Sequence, residues 1–453
     1  MSQRVPDIAD VIVVGAGTAG AVAARRIAAS GRRVVLVDRL EQGDIGRKVC
    51  GNALTGDGVA AVRRRIAPPS GVEIAMRVRG GTLLLPGGQP PVELPGEGVV
   101  LNRIVFGQRL LRDAVDAGAE FVADCACVGW ADREACRIRV RHGDDREGEM
   151  AAKVVVDATG YRGVLTRSGG PSHADAMSRE DVGVACRDIA PTVEPFEASP
   201  RAVVALSPDG AAGGYGWVFP MGERLANVGL GAPLTAGAQG VKAAFQRFRE
   251  REGGPGFLAA VASGTGLLPL RPPLASMVGR GFVAVGDAAC QTNPLHGGGI
   301  APSIIGGATA GEVVVRAVAR GAAPVEALWP YNVSFMREVG AVHAAHDVLR
   351  RFLWGLQPRD LAFLAAAVWR TGAASTLSGP APRLAVQDVL RLAGSATARP
   401  GLALALARTA RLMESARRLY EGYPESPAGL DAWLRRANAI RRAPGGPAGG
   451  GQA

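Results

Sequence analysis

The stretch that decides the fold is DVIVVGAGTAGAVAARRIAASGRRVVLVD, residues 10–38. It reads as a strand, a glycine-rich turn, an alanine-rich helix and a second strand closed by Asp38. In this pattern Gly15 permits the tight turn, Gly17 lets the backbone approach a pyrophosphate, and Gly20 lets helix pack on strand. The helix N-terminus stabilises phosphate charge, and the acid binds a ribose without a 2′-phosphate. The stretch therefore predicts a domain that binds FAD or NAD.

A second glycine-rich element lies far along the chain, in residues 281–311. A strand runs into Gly286-Asp287, and a later helix opens at Gly297-Gly-Gly-Ile300. This helix start offers backbone amides to another anionic or carbonyl-rich group, such as the flavin end of FAD. Together with the strand and turn at Val154–Gly160, the element resembles the large FAD family of the p-hydroxybenzoate hydroxylase type. That resemblance implies that the cofactor is FAD, and Gly306–Gly311 is expected to pack two helices closely.

Four short strings resemble a narrower family, the geranylgeranyl reductases. They are KVCG at 48–51, GYGWVFP at 214–220, NPLHGGG at 293–299 and LYEGYPESP at 419–427. The resemblance is to the archaeal members and extends along nearly the whole chain. It implies an FAD enzyme that saturates isoprenoid double bonds, usually those of the digeranylgeranyl glycerol phospholipid precursor of archaeal membranes or of a related geranylgeranyl chain.

Length and composition narrow the class of protein. A chain of 453 residues exceeds one ordinary domain, and 47% apolar with 21% charged residues is typical of a folded globular protein. No apolar run reaches the roughly 18–20 residues of a membrane span, and no signal-peptide pattern opens the sequence, so we expect a cytoplasmic protein. The cysteines lack C-x-x-C spacing, and His343 with His346 lacks a carboxylate cluster, so no metal site is predicted.

The placement of these motifs predicts the architecture. We expect an α/β fold in which a Rossmann-like FAD-binding domain of the p-hydroxybenzoate hydroxylase type is assembled from residues 1–66, 100–175 and 268–322. Residues 67–99 and 176–267 show short alternating strands and are predicted to form an antiparallel-sheet substrate domain. Residues 323–442 read as helices broken near prolines, and the tail 443–453 is predicted to be disordered.

Most of the candidate cofactor-binding residues follow from the two glycine-rich elements and from the family resemblance. By resemblance, Arg103 binds the phosphate and ribose end of FAD, which suits an arginine, and the backbone of Ala123 meets the adenine. Gly107 stands where the family usually has Asp. The predicted set is Gly15, Gly17, Ala19, Gly20, Asp38, Lys48, Cys50, Gly51, Arg103, Ala123, Asp287, Gly298, Gly299 and Ile300.

The chemistry of alkene reduction selects the remaining candidates. One carbon must receive a hydride from reduced flavin and the other a proton, in a water-excluding apolar tunnel. By resemblance Cys50 lies beside the flavin and positions or protonates the alkene; Gly51 lets the backbone come close to a ligand. His296 is either a second proton donor or a residue that orients its loop by a hydrogen bond. Three aromatic residues alternate along one strand and are predicted to bind substrate: Tyr215, Trp217 and Phe219.

The net charge of +11 is concentrated near the end of the chain, where residues 331–453 carry 16 Arg against 8 acidic residues. A basic face can hold anionic lipid, and nothing in the sequence resembles a nucleic-acid motif, so nucleic acid is not an expected partner. We expect a peripheral protein on the inner face of the cell membrane. Its helices combine apolar residues, which either pack inward or rest on the bilayer, with arginines: Leu402, Leu404, Leu406, Leu412, Leu419, Leu430, Trp433 and Leu434 with Arg408, Arg411, Arg417, Arg418, Arg435 and Arg436.

Alternatives on the same scaffold are a flavin-dependent monooxygenase, a reductase of a prenylquinone side chain, and a non-catalytic carrier of FAD and a prenyl chain. The sequence has no second glycine fingerprint for a nicotinamide cofactor. The electron donor is therefore left open between reduced ferredoxin and transiently bound NADPH.

Overall fold

A computed structural model describes residues 8–169, 177–198, 200–207, 213–251, 256–321, 323–371, 382–396 and 399–443. The tail predicted to be disordered lies outside these residues, apart from Ala443. The described strands are β1 (Ile8–Val14), β2 (Val34–Val37), β3 (Ala53–Thr55), β4 (Ile74–Val78), β5 (Gly81–Leu84), β6 (Val92–Leu94), β7 (Gly98–Leu101), β8 (Glu120–Val122), β9 (Cys125–Asp132), β10 (Arg137–His142), β11 (Glu147–Asp157), β12 (Val182–Pro191), β13 (Ala202–Leu206), β14 (Tyr215–Gly222), β15 (Leu225–Pro233), β16 (Ala262–Pro269), β17 (Val278–Gly279) and β18 (Phe282–Ala284).

The helices follow the same order along the chain. They are α1 (Thr18–Ala28), α2 (Gly56–Arg63), α3 (Arg103–Asp116), α4 (Val164–Arg167), α5 (Ala238–Arg251), α6 (Ile300–Ala319), α7 (Val325–Phe335), α8 (Ala341–Trp354), α9 (Pro358–Thr371), α10 (Pro382–Ser395), α11 (Pro400–Glu421) and α12 (Leu430–Arg442). A π-helical turn, Met336–Gly340, joins α7 to α8.

The first sheet has the strand order β17-β18-β11-β1-β2-β8, with β9 and β10 attached through β11. Strands β18, β11, β1, β2 and β8 run parallel, and β2 is buried along its whole length, as expected for strands covered on both faces. The turns after β1, β11 and β18 therefore meet at one edge of the sheet, where open α/β sheets bind ligands. The predicted FAD-type α/β fold is confirmed.

Helix α6 crosses α1 at its small residues, which agrees with the close packing predicted there. A Cβ added at Gly307 would lie 2.3 Å from the carbonyl oxygen of Ala19, and one at Gly311 would lie 2.8 Å from Cβ of Arg26. No larger residue fits at either position, so the two helices that begin at the glycine-rich turns are locked together.

The second sheet has the order β16-β12-β15-β14-β13-β5-β6 and is antiparallel except for the parallel pair β13–β5. One face packs on α5 through a core that includes Val228, Leu230, Phe245 and Phe248. The other face carries the aromatic residues of β14 toward the first sheet, because side chains alternate along a strand. A small sheet, β3-β7-β4, lies beside the two large ones.

Helices α7 to α12 follow α6 and pack around aromatic residues. Tyr423 stacks on Trp329 with ring centroids 5.6 Å apart and meets Trp433 edge-on at 4.9 Å, while its hydroxyl donates to the carbonyl of Ala275 at 2.6 Å. The helical region is thereby fixed to the loop before β17. No helix among the described residues has the length and apolar character needed to cross a membrane.

The apolar residues of α11 and α12 are used mainly for this packing. Leu404 is 51% exposed, and five others are at most 5% exposed: Leu402, Leu406, Leu419, Leu430 and Trp433. Of the two uses expected for these residues, packing inward therefore accounts for most of them. Arg417 is also buried, paired with Glu414 and Glu421, whereas five arginines stay exposed: Arg408, Arg411, Arg418, Arg435 and Arg436.

Candidate active site

A cavity of about 440 Å³ lies where the loops of the first sheet face the second sheet. We call it the central cavity. Its wall comes from both sheets and from the segment between β2 and β3, so residues far apart in sequence meet there. The predicted residues that line it are Gly15, Gly17, Ala19, Asp38, Lys48, Cys50, Gly51, Arg103, Tyr215, Trp217, Asp287, Gly299 and Ile300.

The three glycines of the first turn have different surroundings. Gly15 has φ +105°, and a Cβ there would lie 2.4 Å from the carbonyl oxygen of Ala158, while one at Gly20 would lie 1.9 Å from the carbonyl of Gly15. A Cβ at Gly17 would meet no described atom within 4 Å. Gly15 and Gly20 thus serve close packing, and Gly17 leaves an open cradle at the N-terminus of α1.

Asp38 closes β2 and holds the turn in place. Its Oδ2 accepts a hydrogen bond from the backbone N–H of Ala16 at 2.7 Å, and its Oδ1 accepts one from Leu40 at 2.9 Å. A carboxylate has about four acceptor positions, so capacity remains for ribose hydroxyls.

Arg103 opens α3 and points to the same end of the cavity. Its side chain is buried, and Nη2 donates to the hydroxyl of Thr18 at 3.0 Å. Its Nε and Nη1 are buried and have no hydrogen-bond partner among the described residues. Burial lowers the pKa of this guanidinium. Unpaired donors of a buried cation, beside a helix N-terminus, fit a pyrophosphate.

The departure at Gly107 from the family pattern has a steric cause. A Cβ at Gly107 would lie 2.4 Å from Cα of Gly46. Helix α3 therefore packs directly on the loop that precedes Lys48, and the Asp usual in the family has no space here.

Lys48 and Asp287 form an ion pair across the cavity, with Nζ and Oδ2 2.8 Å apart. The attraction of Asp287 raises the pKa of Lys48 against the effect of burial. Burial would raise the pKa of Asp287, but Lys48 and the hydroxyl of Thr292 outweigh it, so this pKa is lowered. Both groups are therefore charged at neutral pH. Their ion pair links the loop that contains Cys50 to the second glycine-rich element, residues 281–311.

His296 orients its own loop. Its Nδ1 accepts a hydrogen bond from the N–H of Gly298 at 3.2 Å, and its carbonyl accepts one from the hydroxyl of Tyr215 at 2.7 Å. The ring retains solvent-accessible surface. The protein atoms around it nevertheless desolvate the imidazole, and this lowers the pKa of His296 to about 4. The hydrogen bond from Gly298 needs an unprotonated Nδ1, which favours the orienting role over that of a proton donor.

Besides Gly20 and His296, three predicted residues do not line the cavity. Ala123 does not line the cavity, because the chain turns at Asp124 (φ +48°) and the wall is formed by residues 125–127. Gly298 supports the ring of His296, since a Cβ there would lie 2.6 Å from it. Phe219 does not line the cavity either.

Phe219 packs instead on Gly51, where an added Cβ would lie 2.9 Å from the Phe219 ring. The close approach predicted at Gly51 is therefore to this ring. The three aromatic rings do share one face, with centroids of Tyr215 and Trp217 5.8 Å apart and those of Trp217 and Phe219 6.2 Å apart.

Sequence reasoning missed the floor of the cavity on the second sheet. Gly266, Ala185, Gly231 and Tyr215 lie side by side across β16, β12, β15 and β14, so three small residues leave room above the sheet. The recurrence of glycine at every second position in LANVGLGAP and ASGTGLLP was the available signal. The same wall is completed by apolar residues: Leu267, Leu268, Leu270, Leu295 and Trp354.

Comparison with known families agrees with this arrangement. Residues 10–77 match the model of glucose inhibited division protein A, and residues 181–265 match the model of the geranylgeranyl reductase catalytic domain. Digeranylgeranylglycerophospholipid reductase of Methanothrix thermoacetophila is 33% identical over 363 residues, covering 78% of this chain and 89% of the relative. The chain belongs to the geranylgeranyl reductase family. The family predicted from four short strings is thus confirmed.

A second relative and two solved structures are also similar to this chain. Digeranylgeranylglycerophospholipid reductase of Sulfolobus acidocaldarius is 28% identical over 448 residues, covering 95% of this chain and 97% of the relative. A geranylgeranyl bacteriochlorophyll reductase-like protein of Thermoplasma acidophilum has a TM-score of 0.77 and 24% identity, covering 89% of this chain and 99% of that one. A myxobacterial chondrochloren halogenase has a TM-score of 0.60 and 19% identity, covering 86% and 98%. These two structures show a shared fold.

This member of the geranylgeranyl reductase family is an FAD-dependent oxidoreductase. The described residues fit FAD at three points: the open cradle at Gly17, the unpaired donors of Arg103 and the acceptor capacity of Asp38. Gly299 and Ile300 form a second helix start on the cavity wall, the position predicted for the flavin end.

Proposed function

We propose that the protein saturates the isoprenoid C=C bonds of a geranylgeranyl lipid, digeranylgeranylglycerophospholipid or a related geranylgeranyl chain, in membrane lipid biosynthesis. The observation that carries the proposal is that the FAD-binding residues and an apolar wall belong to one cavity. The names of the relatives support the substrate class.

The wall fits a flexible hydrocarbon. Ala185, Gly231 and Gly266 form a flat floor, and leucines with Trp354 surround it. Apolar walls exclude water and contribute binding energy in proportion to the apolar area that they cover. A prenyl chain is long, narrow and without polar groups. It can therefore lie along an apolar wall from which water is excluded.

The cofactor and the protein supply different parts of the chemistry. Bound and reduced FAD supplies the hydride that one alkene carbon accepts. Cys50 lines the same cavity and is proposed to position the alkene or to protonate its other carbon. Tyr215 and His296 hold the loop opposite by the hydrogen bond between them.

An anaerobic single-turnover experiment tests the function. The bound flavin is reduced with dithionite, excess reductant is removed, and digeranylgeranylglycerophospholipid is added while flavin absorbance and lipid mass are followed. We expect the flavin to reoxidise as the lipid gains two hydrogens per reduced bond; the fully saturated lipid is the matched control and leaves the flavin reduced.

Other outcomes identify the alternatives. Reoxidation only by a geranylgeranylated quinone would move the substrate to prenylquinones. In a separate aerobic reaction, an oxygenated product would indicate a monooxygenase. No reaction with any isoprenoid would indicate a carrier. Reducing the bound flavin with ferredoxin in one sample and with NADPH in another identifies the electron donor. We propose both as candidates.

We also propose that the protein is cytoplasmic and works peripherally on the inner face of the cell membrane. A lipid with two twenty-carbon chains stays in a bilayer, so the enzyme must reach it there. The support in the chain is the set of exposed arginines on α11 and α12, together with Leu404. Each basic residue near an anionic surface contributes about 1 kcal/mol.

We predict that the protein sediments with anionic liposomes at low salt and is released at high salt. Replacing Arg411, Arg435 and Arg436 by Gln is expected to weaken binding at least tenfold, since about 3 kcal/mol of attraction is removed. The matched control removes the same charge from exposed positions of β10, with Gln at Arg137, Arg139 and Arg141. Equal loss in both variants, or binding to neutral liposomes without a salt effect, would contradict the prediction.

A further inference from the structure

The backbone of the Cys50 segment, residues 48–50, is held from the second sheet at both ends. Nη2 of Arg187 on β12 donates to the carbonyl of Lys48 at 3.1 Å. Nδ2 of Asn227 on β15 donates to the carbonyl of Cys50 at 2.8 Å. The position of the thiol therefore depends on strands that lie far from it in sequence.

The middle of the segment is held by packing on a third strand. A Cβ at Gly264 on β16 would lie 2.5 Å from Cγ2 of Val49, and one at Gly266 would lie 3.4 Å from Cβ of Val49. The Val49 side chain thus occupies the space above Gly264 and lies at contact distance from Gly266, which still lines the central cavity. Three neighbouring strands together fix the segment above the sheet.

Asn227 is the unusual member of this arrangement. It is 0% exposed and lies on a strand face that otherwise offers Gly229 and Gly231. Its Oδ1 accepts a hydrogen bond from Nε1 of Trp217 at 2.9 Å. The indole is donor-only and the Cys50 carbonyl is acceptor-only, so the amide has one orientation that satisfies both. A buried amide is costly unless it is paired, and here both of its groups are used.

We infer that Asn227 is a positioning residue for Cys50, and that Trp217 acts on the thiol through Asn227. Fixing the Cys50 carbonyl fixes the adjoining peptide plane and hence the direction of the Cα–Cβ bond. The sulfur itself accepts a hydrogen bond from the N–H of Asn52 at 3.3 Å, which selects one side-chain orientation. The catalytic part of this inference rests on the proposed function, whereas the geometry does not.

Three substitutions separate the contacts. Asn227→Asp keeps the acceptor for Trp217 and, as a carboxylate, loses the donor to Cys50. Asn227→Leu loses both. Trp217→Phe removes the indole donor and leaves Asn227 in place, and it also shortens a ring of the cavity wall. In the holoenzyme we expect Asn227→Asp to lower the single-turnover rate at saturating lipid by about 10- to 100-fold, since a small misplacement of a reacting group has this effect. FAD occupancy and lipid affinity are expected to stay unchanged.

Alkylation of Cys50 by iodoacetamide, followed by peptide mass, reports its position without requiring turnover. We expect its rate to change in Asn227→Asp and Asn227→Leu while the rates of the other cysteines do not. The matched control is Asn332→Asp, which also replaces a fully buried amide, one that bonds Met277 and Ser276 instead. It is expected to leave the Cys50 alkylation rate unchanged.

Double substitution tests the path from Trp217. If the indole acts through Asn227, Trp217→Phe has no further effect on Cys50 alkylation in the Asn227→Leu background. A persistent effect there would overturn the role given to Trp217. Unchanged alkylation and turnover in both Asn227 variants would overturn the whole inference. Failure of the parent enzyme to reduce the lipid would count against the proposed function, while the alkylation rates would still decide the positioning role.

Discussion

Cys50→Ala is expected to retain bound FAD and to lose alkene reduction by at least about 100-fold, the range for removal of a group that transfers a proton in the transition state. The thiol lines the central cavity, whereas the contacts predicted for FAD are made by Gly17, Asp38 and Arg103. Cys50 also belongs to the predicted FAD-binding set, but those three residues are predicted to hold the phosphate and ribose end, so removing the thiol alone leaves most of the predicted FAD contacts in place. Flavin absorbance per chain and the anaerobic single-turnover rate measure the two effects separately.

Cys127→Ala is the matched control, because Cys127 also lines the cavity but on the side of β9. It is expected to leave the turnover rate near that of the parent. If Cys50→Ala reacts at the parent rate with full flavin occupancy, the thiol has no part in the chemistry. His296→Gln then becomes the next variant to measure, although the neutral ring of His296 is better suited to holding its loop.

The FAD-binding sheet could be predicted from sequence because its signals are local. Strand, turn and helix from Val11 to Asp38 follow one another directly, and each glycine there has a steric reason that holds in any chain of this fold. The same is true of Gly307 and Gly311, whose spacing within one helix already indicates a close helix crossing. Short-range patterns of this kind determine their own structure.

The rest of the fold and of the candidate site depends on the pairing register between strands that are distant in sequence. Asn227 contacts Cys50 across 177 positions of sequence, and its meaning appears only when β15 pairs with β14 so that Trp217 lies diagonally opposite. Ala123 shows the local limit of such reasoning, because one turn at Asp124 moves the cavity wall by two residues. The sequence of α11 and α12 likewise does not show which way their apolar residues face, because this depends on the neighbouring helices.

Gly15→Ala is expected to abolish FAD binding and to destabilise the apoprotein, whereas Gly31→Ala is expected to do neither to a comparable degree. Both glycines have positive φ, +105° and +76°, so alanine suffers backbone strain at either position. This strain costs about 1–2 kcal/mol. The surroundings differ, since a Cβ at Gly15 would lie 2.4 Å from the carbonyl of Ala158, while one at Gly31 would meet no described atom within 4 Å.

The comparison isolates the effect of the backbone contact from that of strain. Relief of the clash at Gly15 requires the turn after β1 to move away from the turn after β11, and these two turns form one wall of the cofactor site. We therefore expect the free energy of unfolding, measured with denaturant, to fall by at least about 2 kcal/mol more for Gly15→Ala than for Gly31→Ala. Flavin absorbance per chain should be lost only in the former. Equal stability losses with FAD retained in both would mean that the turns can separate without opening the site, and that the cofactor is held mainly by Arg103 and the second helix start at Gly299.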